Sequence, residues 1–211
     1  MSTHRHFPEE PRRIPRQPRG ERRVAELLEA AAAVIASDGY DAATMSAIAE
    51  RAGAPIGSLY QFFPNKQAIT HAHRTAYGRD YEQRLVALER DAKRLTLAAL
   101  VTRLVRLSVA FVESHPAFIP LLDAPSNTRS PASLRATLRE RLARCLVSVS
   151  PGASPAKCLR LAAVTLQLLK GLNQLYAEAA SPDRRSLVRE YRIALSCWLS
   201  ARLEKKRGAI V

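Results

Sequence analysis

Gly57, Ser58 and Gln61 lie within five residues of one another, in a segment whose other members are Leu59, Tyr60, Phe62 and Phe63. Their chemistry is recognition and not turnover. The Gln61 amide sets a donor beside an acceptor, the pairing that reads an adenine edge. Gly57 and Ser58 are slim, so a helix carrying them on its outer side enters a major groove about 12 Å wide. Leu59 with Phe62 or Phe63 would fix the opposite side on a core.

The remaining reactive side chains exclude other chemistry. The histidines are His4, His6, His71, His73 and His115. His71 and His73 are two residues apart, so on a helix they diverge and suit no shared metal. There is no Gly-rich phosphate loop, no nucleophile elbow and no carboxylate pair at helical spacing beside a histidine. Cys145, Cys158 and Cys197 are odd in number, widely spaced and set among apolar residues. That suits reduced thiols of a cytoplasmic protein better than a disulfide framework or a zinc site. The expectation is a non-enzyme with no cofactor and no metal.

The elements that must position Gln61 are helices. Ala, Leu and Arg dominate, aromatic residues are 6%, and no strand alternation is visible. Val24, Leu27, Leu28, Ala31, Val34 and Ile35 mark one face of a first helix that Gly39 ends. Arg22 and Arg23 sit in its first turns. A second helix over 44–52 is capped by Thr44 and turns at Gly53-Ala54-Pro55 into a third over 56–62. Proline is tolerated at the start of that third helix. Pro64 breaks it, and Asn65 caps a fourth through Ala68, Ile69 and Ala72. The dimensions are those of a helix-turn-helix.

The stretch Thr44 to Lys66, with Ile48-Ala49, Ala52-Gly53, Ser58-Leu59-Tyr60, Phe63 and Asn65-Lys66, strongly resembles the TetR family of transcriptional regulators. The motif covers roughly Ala25 to Ile69, while the later helices resemble the family only in layout. The periodic runs along the chain add up to about nine helices and an all-α fold, and the resemblance implies a three-helix DNA-binding head, then a helical ligand-binding and dimerisation body. It implies that Thr44 and Ser46 touch phosphate or groove, and that Ile56, Gly57, Ser58 and Gln61 face the major groove. It further implies that the Tyr60 hydroxyl and Lys66 meet phosphates. Arg22 and Arg23 join these candidate DNA contacts. Many relatives carry a polar or ring residue where Phe62 stands, so specificity is expected to lean also on thymine methyls and DNA shape.

Residues 1–20 hold four prolines and five arginines and are expected to form a disordered basic arm. That arm either follows DNA or is a solvated tail. The expected division is arm 1–20, DNA-binding domain 21–66 and body 67–211. A formal net charge of +14 points to a polyanionic partner. A ligand-independent, charge-driven DNA-binding or architectural protein is the competing reading; it predicts steep salt dependence and little sequence preference.

In the body, apolar-periodic runs predict helices over 95–114, 116–123, 131–149, 155–179 and 183–205. Ser130-Pro131, Ser154-Pro155 and Ser181-Pro182 act as start signals, and His115-Pro116 acts as a break. Helices 155–179 and 183–205 are apolar over more than one face, which predicts a homodimer through a four-helix interface. A mid-helix Gly171 suggests a close helix crossing there. Phe111, His115, Phe118, Gln167, Asn173 and Tyr176 are candidate contacts for a small, largely apolar effector. Residues 120–131 are candidates for a gate. The expected partners are therefore a double-stranded DNA operator, a second copy of the chain and a small molecule. No apolar run is long enough to span a membrane.

Overall fold

The computed structural model of the chain describes residues 18–124 and 132–203. Among these there are nine helices and no strand. They fall into two compact units, Met1–Ala72 and His73–Val211. The division lies six residues beyond the expected one at 66/67.

In the first unit, α1 (Pro18–Ala42), α2 (Met45–Arg51) and α3 (Ile56–Phe62) enclose a small core. Val24, Leu27, Ala31, Val34 and Ile35 form the buried stripe of α1, against Ile48, Ala49, Leu59 and Phe63. α1 begins at Pro18, so residues 18–20 are helical and not part of an arm; residues 1–17 lie outside the described residues. Proline suits this start because the first helical N–H has no intrahelical partner. Gly39 has φ 80° and ψ 166°, and it bends the chain before a last short turn to Ala42. That backbone is essentially reserved for glycine. Gly53 (φ 56°) reverses the chain between α2 and α3. Pro55 precedes α3 as its cap residue instead of opening it.

α4 (Lys66–Ala92) starts in the first unit and runs far beyond Ala72. The other helices of the second unit are α5 (Leu97–Ser114), α6 (Phe118–Asp123), α7 (Ala132–Val149), α8 (Pro155–Glu178) and α9 (Ser181–Leu203). α8 packs along α7 and α9, and α5 packs on α8 and α9. Their core contains Leu85, Leu104, Phe111, Leu142, Leu172 and Leu199, all buried. Of the expected start signals, Ser154 caps α8 by accepting from the Lys157 N–H at 3.3 Å. Ser181 instead opens α9, two residues before the expected start, and the Asp183 N–H bonds to the Ala180 carbonyl. Ser130-Pro131 lies outside the described residues, as does most of the expected gate at 120–131.

Candidate nucleic-acid interface and cavity

The orientation of α3 follows from two anchors. Leu59 and Phe63 are fully buried, so the helix presents its opposite side to solvent. On that side Ile56 is 42% and Tyr60 50% exposed, with Gly57 and Gln61 exposed beside them. Ser58 is half-buried, and so is Phe62. A Cβ placed on Gly57 would meet nothing within 4 Å, so the face there is open and slim. An aromatic and an aliphatic side chain left this exposed on a seven-residue helix bury only about half their surface in the chain itself.

Thr44 caps α2, and its hydroxyl accepts from the Ala47 N–H at 3.1 Å. Thr44 and Ser46 are both exposed at the start of that helix. Asn65 caps α4 in the same way through Ala68. Arg22 and Arg23 hold the Glu26 carboxylate at 3.1 and 3.0 Å. The hydrogen bonds from Arg23 and Arg22 keep that carboxyl below its usual range.

Lys66 has partners that its position in the motif does not suggest. Its Nζ donates to the carbonyl oxygens of Tyr40, Asp41 and Ala43 at 2.6, 3.2 and 2.9 Å. It also lies 4.3 Å from the Tyr40 ring centroid. An ammonium has three donors, and here three carbonyls at the end of α1 take them. In this arrangement Lys66 is a clip on the α1–α2 junction and not an open phosphate ligand.

The second unit contains a cavity of about 420 Å³. Leu121, Leu138, Leu166 and Leu169, from α6, α7 and α8, supply its apolar walls. Phe118, Gln167 and Asn173 line it, as three of the six expected effector contacts. The other three do not. Phe111 is fully buried and stacks on His115, with ring centroids 4.3 Å apart. His115 closes α5: Nδ1 lies 2.9 Å from the Phe111 carbonyl and Nε2 lies 3.4 Å from the Asp80 carboxylate. Tyr176 donates to Glu113 Oε1 at 2.5 Å, and its ring carries the Arg184 guanidinium. Asn173 is buried and accepts from Ser108 at 2.9 Å.

The lining residues missed from sequence are spread over α4, α6, α7 and α8. Arg74, Tyr77 and Tyr81 share one face of α4, at i, i+3 and i+7. That spacing is readable once the helix is carried past Ala72. Arg74 is buried, and its Nε and Nη2 donate to the Leu121 carbonyl at 2.8 and 2.6 Å. Nη2 also reaches the Ala124 carbonyl at 2.7 Å. Burial pushes the Tyr77 and Tyr81 phenols up, so both stay neutral donors.

No group of histidine, cysteine, aspartate or glutamate able to hold a metal occurs among the described residues. None of their helices is long and apolar enough to cross a membrane.

Comparison with known proteins adds three findings. The family "Bacterial regulatory proteins, tetR family" matches residues 27–72, and "Tetracyclin repressor-like, C-terminal domain" matches residues 96–199. The chain is 41% identical over 61 residues to the HTH-type transcriptional repressor KstR of Mycolicibacterium smegmatis, and 40% identical over 61 residues to that of Rhodococcus jostii. Those matches span 29% of this chain and only 28% and 27% of the two relatives. A TetR-family transcriptional regulator from Streptomyces coelicolor of known crystal structure superposes with a TM-score of 0.63 at 25% identity. That match covers 86% of this chain and 99% of the other.

Proposed function

Because the chain belongs to the TetR family of transcriptional regulators, we propose that it is an operator-binding repressor released by a small molecule. The observation that carries the DNA-reading part is the exposed face of α3, where Ile56, Gly57, Tyr60 and Gln61 stand over a buried Leu59 and Phe63. In this reading Gln61 addresses an adenine, and Ile56 packs on a thymine methyl. Gly57 and Ser58 keep the helix close to the base edges. Phosphates are met by the Tyr60 hydroxyl, by Thr44 and Ser46 at the start of α2, and by Arg22 and Arg23. Lys66 stays on its carbonyls. Repression, as opposed to activation, follows the description of the two KstR relatives as repressors.

Homodimerisation would come from α8 and α9. Val164, Leu168 and Leu175 are exposed along α8, and Ile193 along α9. The α8 residues fall four and then seven apart, so they form one stripe that continues through Gly171. Gly171 does not meet a neighbouring backbone: the nearest group to a Cβ there would be the Tyr191 hydroxyl, at 3.3 Å. Two heads on a two-fold axis would match a pseudo-palindromic operator. An effector in the cavity releases DNA only if it prefers the conformation that fits the operator poorly. Such a regulator acts where the chromosome is, in the cytoplasm.

Titration of fluorescent upstream DNA by anisotropy tests the reading, with Gln61→Ala, Tyr60→Phe and Gly57→Leu as variants. Gln61→Ala should cost about 1–3 kcal/mol on the operator and little on scrambled DNA. Tyr60→Phe should weaken both alike. Gly57→Leu has open space in the free protein, so it should fold normally and lose the operator. Wild-type binding to operator and scrambled DNA with equal affinity would instead favour the charge-driven architectural protein.

A further inference from the structure

Four cationic side chains line the cavity, Arg74 from α4, Arg135 and Arg139 from α7 and Lys170 from α8, and no described lining residue is Asp or Glu. The same helices do carry carboxylates: Glu140 of α7 and Glu178 of α8 enter no ion pair among the described residues and are not in the lining, while three on α4 are committed elsewhere. Glu82 pairs with Arg141 at 2.9 Å, Glu89 with Arg144 at 2.6 Å, and Asp80 with Arg84 at 3.1 Å. Arg135, Arg139 and Lys170 enter no ion pair among the described residues. Arg135 and Arg139 are one helical turn apart, so their guanidinium groups share a side of α7. Lys170 is exposed on α8, between Gln167 and Asn173 of the same lining. Like charges gathered at one opening repel one another, and an anion arriving there relieves this with charge-assisted hydrogen bonds. In the same lining Leu121 and Leu169 are buried and Phe118, Leu138 and Leu166 half-buried, surfaces that reward only apolar groups.

From this separation of charged opening and apolar interior we infer that the effector is an anion-headed amphiphile. Its carboxylate or phosphate group is held by Arg135, Arg139 and Lys170, and its hydrocarbon part lies against Phe118, Leu138 and Leu166. The volume of about 420 Å³ falls within the range of small-molecule sites. The inference deepens the effector reading of the cavity and rests on it. It replaces a merely apolar ligand by one with a fixed polarity and a fixed sign of charge.

The test is calorimetric titration of the full-length protein, without DNA, with four C12 probes kept below their micelle concentrations. These are sodium dodecanoate, dodecyl phosphate, dodecan-1-ol and dodecyltrimethylammonium. The expected result is binding of one or both anions at least tenfold tighter than the alcohol, with no binding of the cation. Preference between the two anions then tells a carboxylate head from a phosphate head. In the triple variant Arg135→Gln, Arg139→Gln, Lys170→Gln, the anion should fall to the level of the alcohol. These are exposed positions, so the melting temperature of the free variant should be unchanged and serves as the folding control. Equal affinity for alcohol and anion, binding of the cation, binding of no anion, or an unaltered affinity in the triple variant would each overturn the proposal. The calorimetry contains no DNA and so reads the cavity's ligand alone; an anion that binds there but leaves the operator occupied in the anisotropy assay would sink the effector reading, with the cavity's preference for an anionic head still standing.

Discussion

At the scale of single residues, Lys66 shows how one side chain changes meaning when its neighbours are known. A lysine opening a helix after a recognition motif reads naturally as a phosphate ligand. Its three carbonyl partners at Tyr40, Asp41 and Ala43 are 23 to 26 residues away in sequence, and no local pattern announces them. The two roles separate experimentally. Lys66→Met should destabilise the protein by about 1.5–3 kcal/mol in chemical denaturation, the range for hydrogen bonds to a charged group. The slope of log affinity against log salt should stay at its wild-type value. A normal denaturation midpoint with a slope reduced by about one unit would restore the phosphate role. Gln61 and Tyr60 differ from Lys66 in this respect. Their positions were legible because local helical geometry, with Leu59 and Phe63 buried behind them, decides which way they face.

At the scale of elements, most helix starts were written in short-range chemistry and could be read directly. Thr44, Asn65 and Ser154 each cap the helix expected of them, because a capping hydroxyl or amide needs only a backbone N–H three residues ahead. The length of α4 was not readable in the same way. Its sequence from His73 to Ala92 mixes Arg, Asp and Glu with Tyr81, Leu85 and Leu88, and no clean stripe stands out. Part of its polarity is absorbed by a neighbouring helix and not by water. Arg141 spans Glu82 and Glu89, and Arg144 adds a second contact to Glu89. Burial alone would raise the Glu89 carboxyl, but the hydrogen bonds from Arg144 and Arg141 outweigh it and hold the group below its usual range. The folded state therefore binds this proton more weakly than the unfolded state. The stabilisation is complete above the ordinary glutamate pKa of about 4.3 and fades as pH falls through the lowered folded value. Glu89→Gln should cost about 1 kcal/mol at pH 7, and the difference from wild type should shrink towards pH 3 in urea melts. A difference of the same size at both pH values would mean that the pairing does not carry it. The cavity was the least legible feature, since its lining comes from four helices and its cations gain meaning only when gathered.

At the scale of the whole molecule, the proposed dimer rests on the exposed apolar stripe of α8 and α9. Val164, Leu168, Leu175 and Ile193 are between 38% and 47% exposed, and water is a poor neighbour for them. Leu168→Glu with Ile193→Glu should convert a dimer to a monomer in sedimentation velocity. Operator affinity should fall with it, because a single head loses the second half-site. A variant that still sediments as a dimer would exclude this face as the interface. The same stripe is why both helices read as apolar over more than one side in the sequence: one side meets the chain's own core, and the other is the exposed face on which the proposed dimer would pack.

The burial pattern of the thiols gives a way to follow that assembly in time. Cys145 and Cys158 are buried, and burial pushes the Cys145 thiol up to about 11, so it stays protonated and inert near neutrality. Cys197 alone is exposed, one turn after Ile193 on α9. A maleimide dye should therefore attach once per chain without any engineering, at a position beside the stripe. Dilution that frees α9 would quicken the labelling, and reassociation would slow it, so the rate of a single bond-forming reaction becomes a clock for how long two copies stay together.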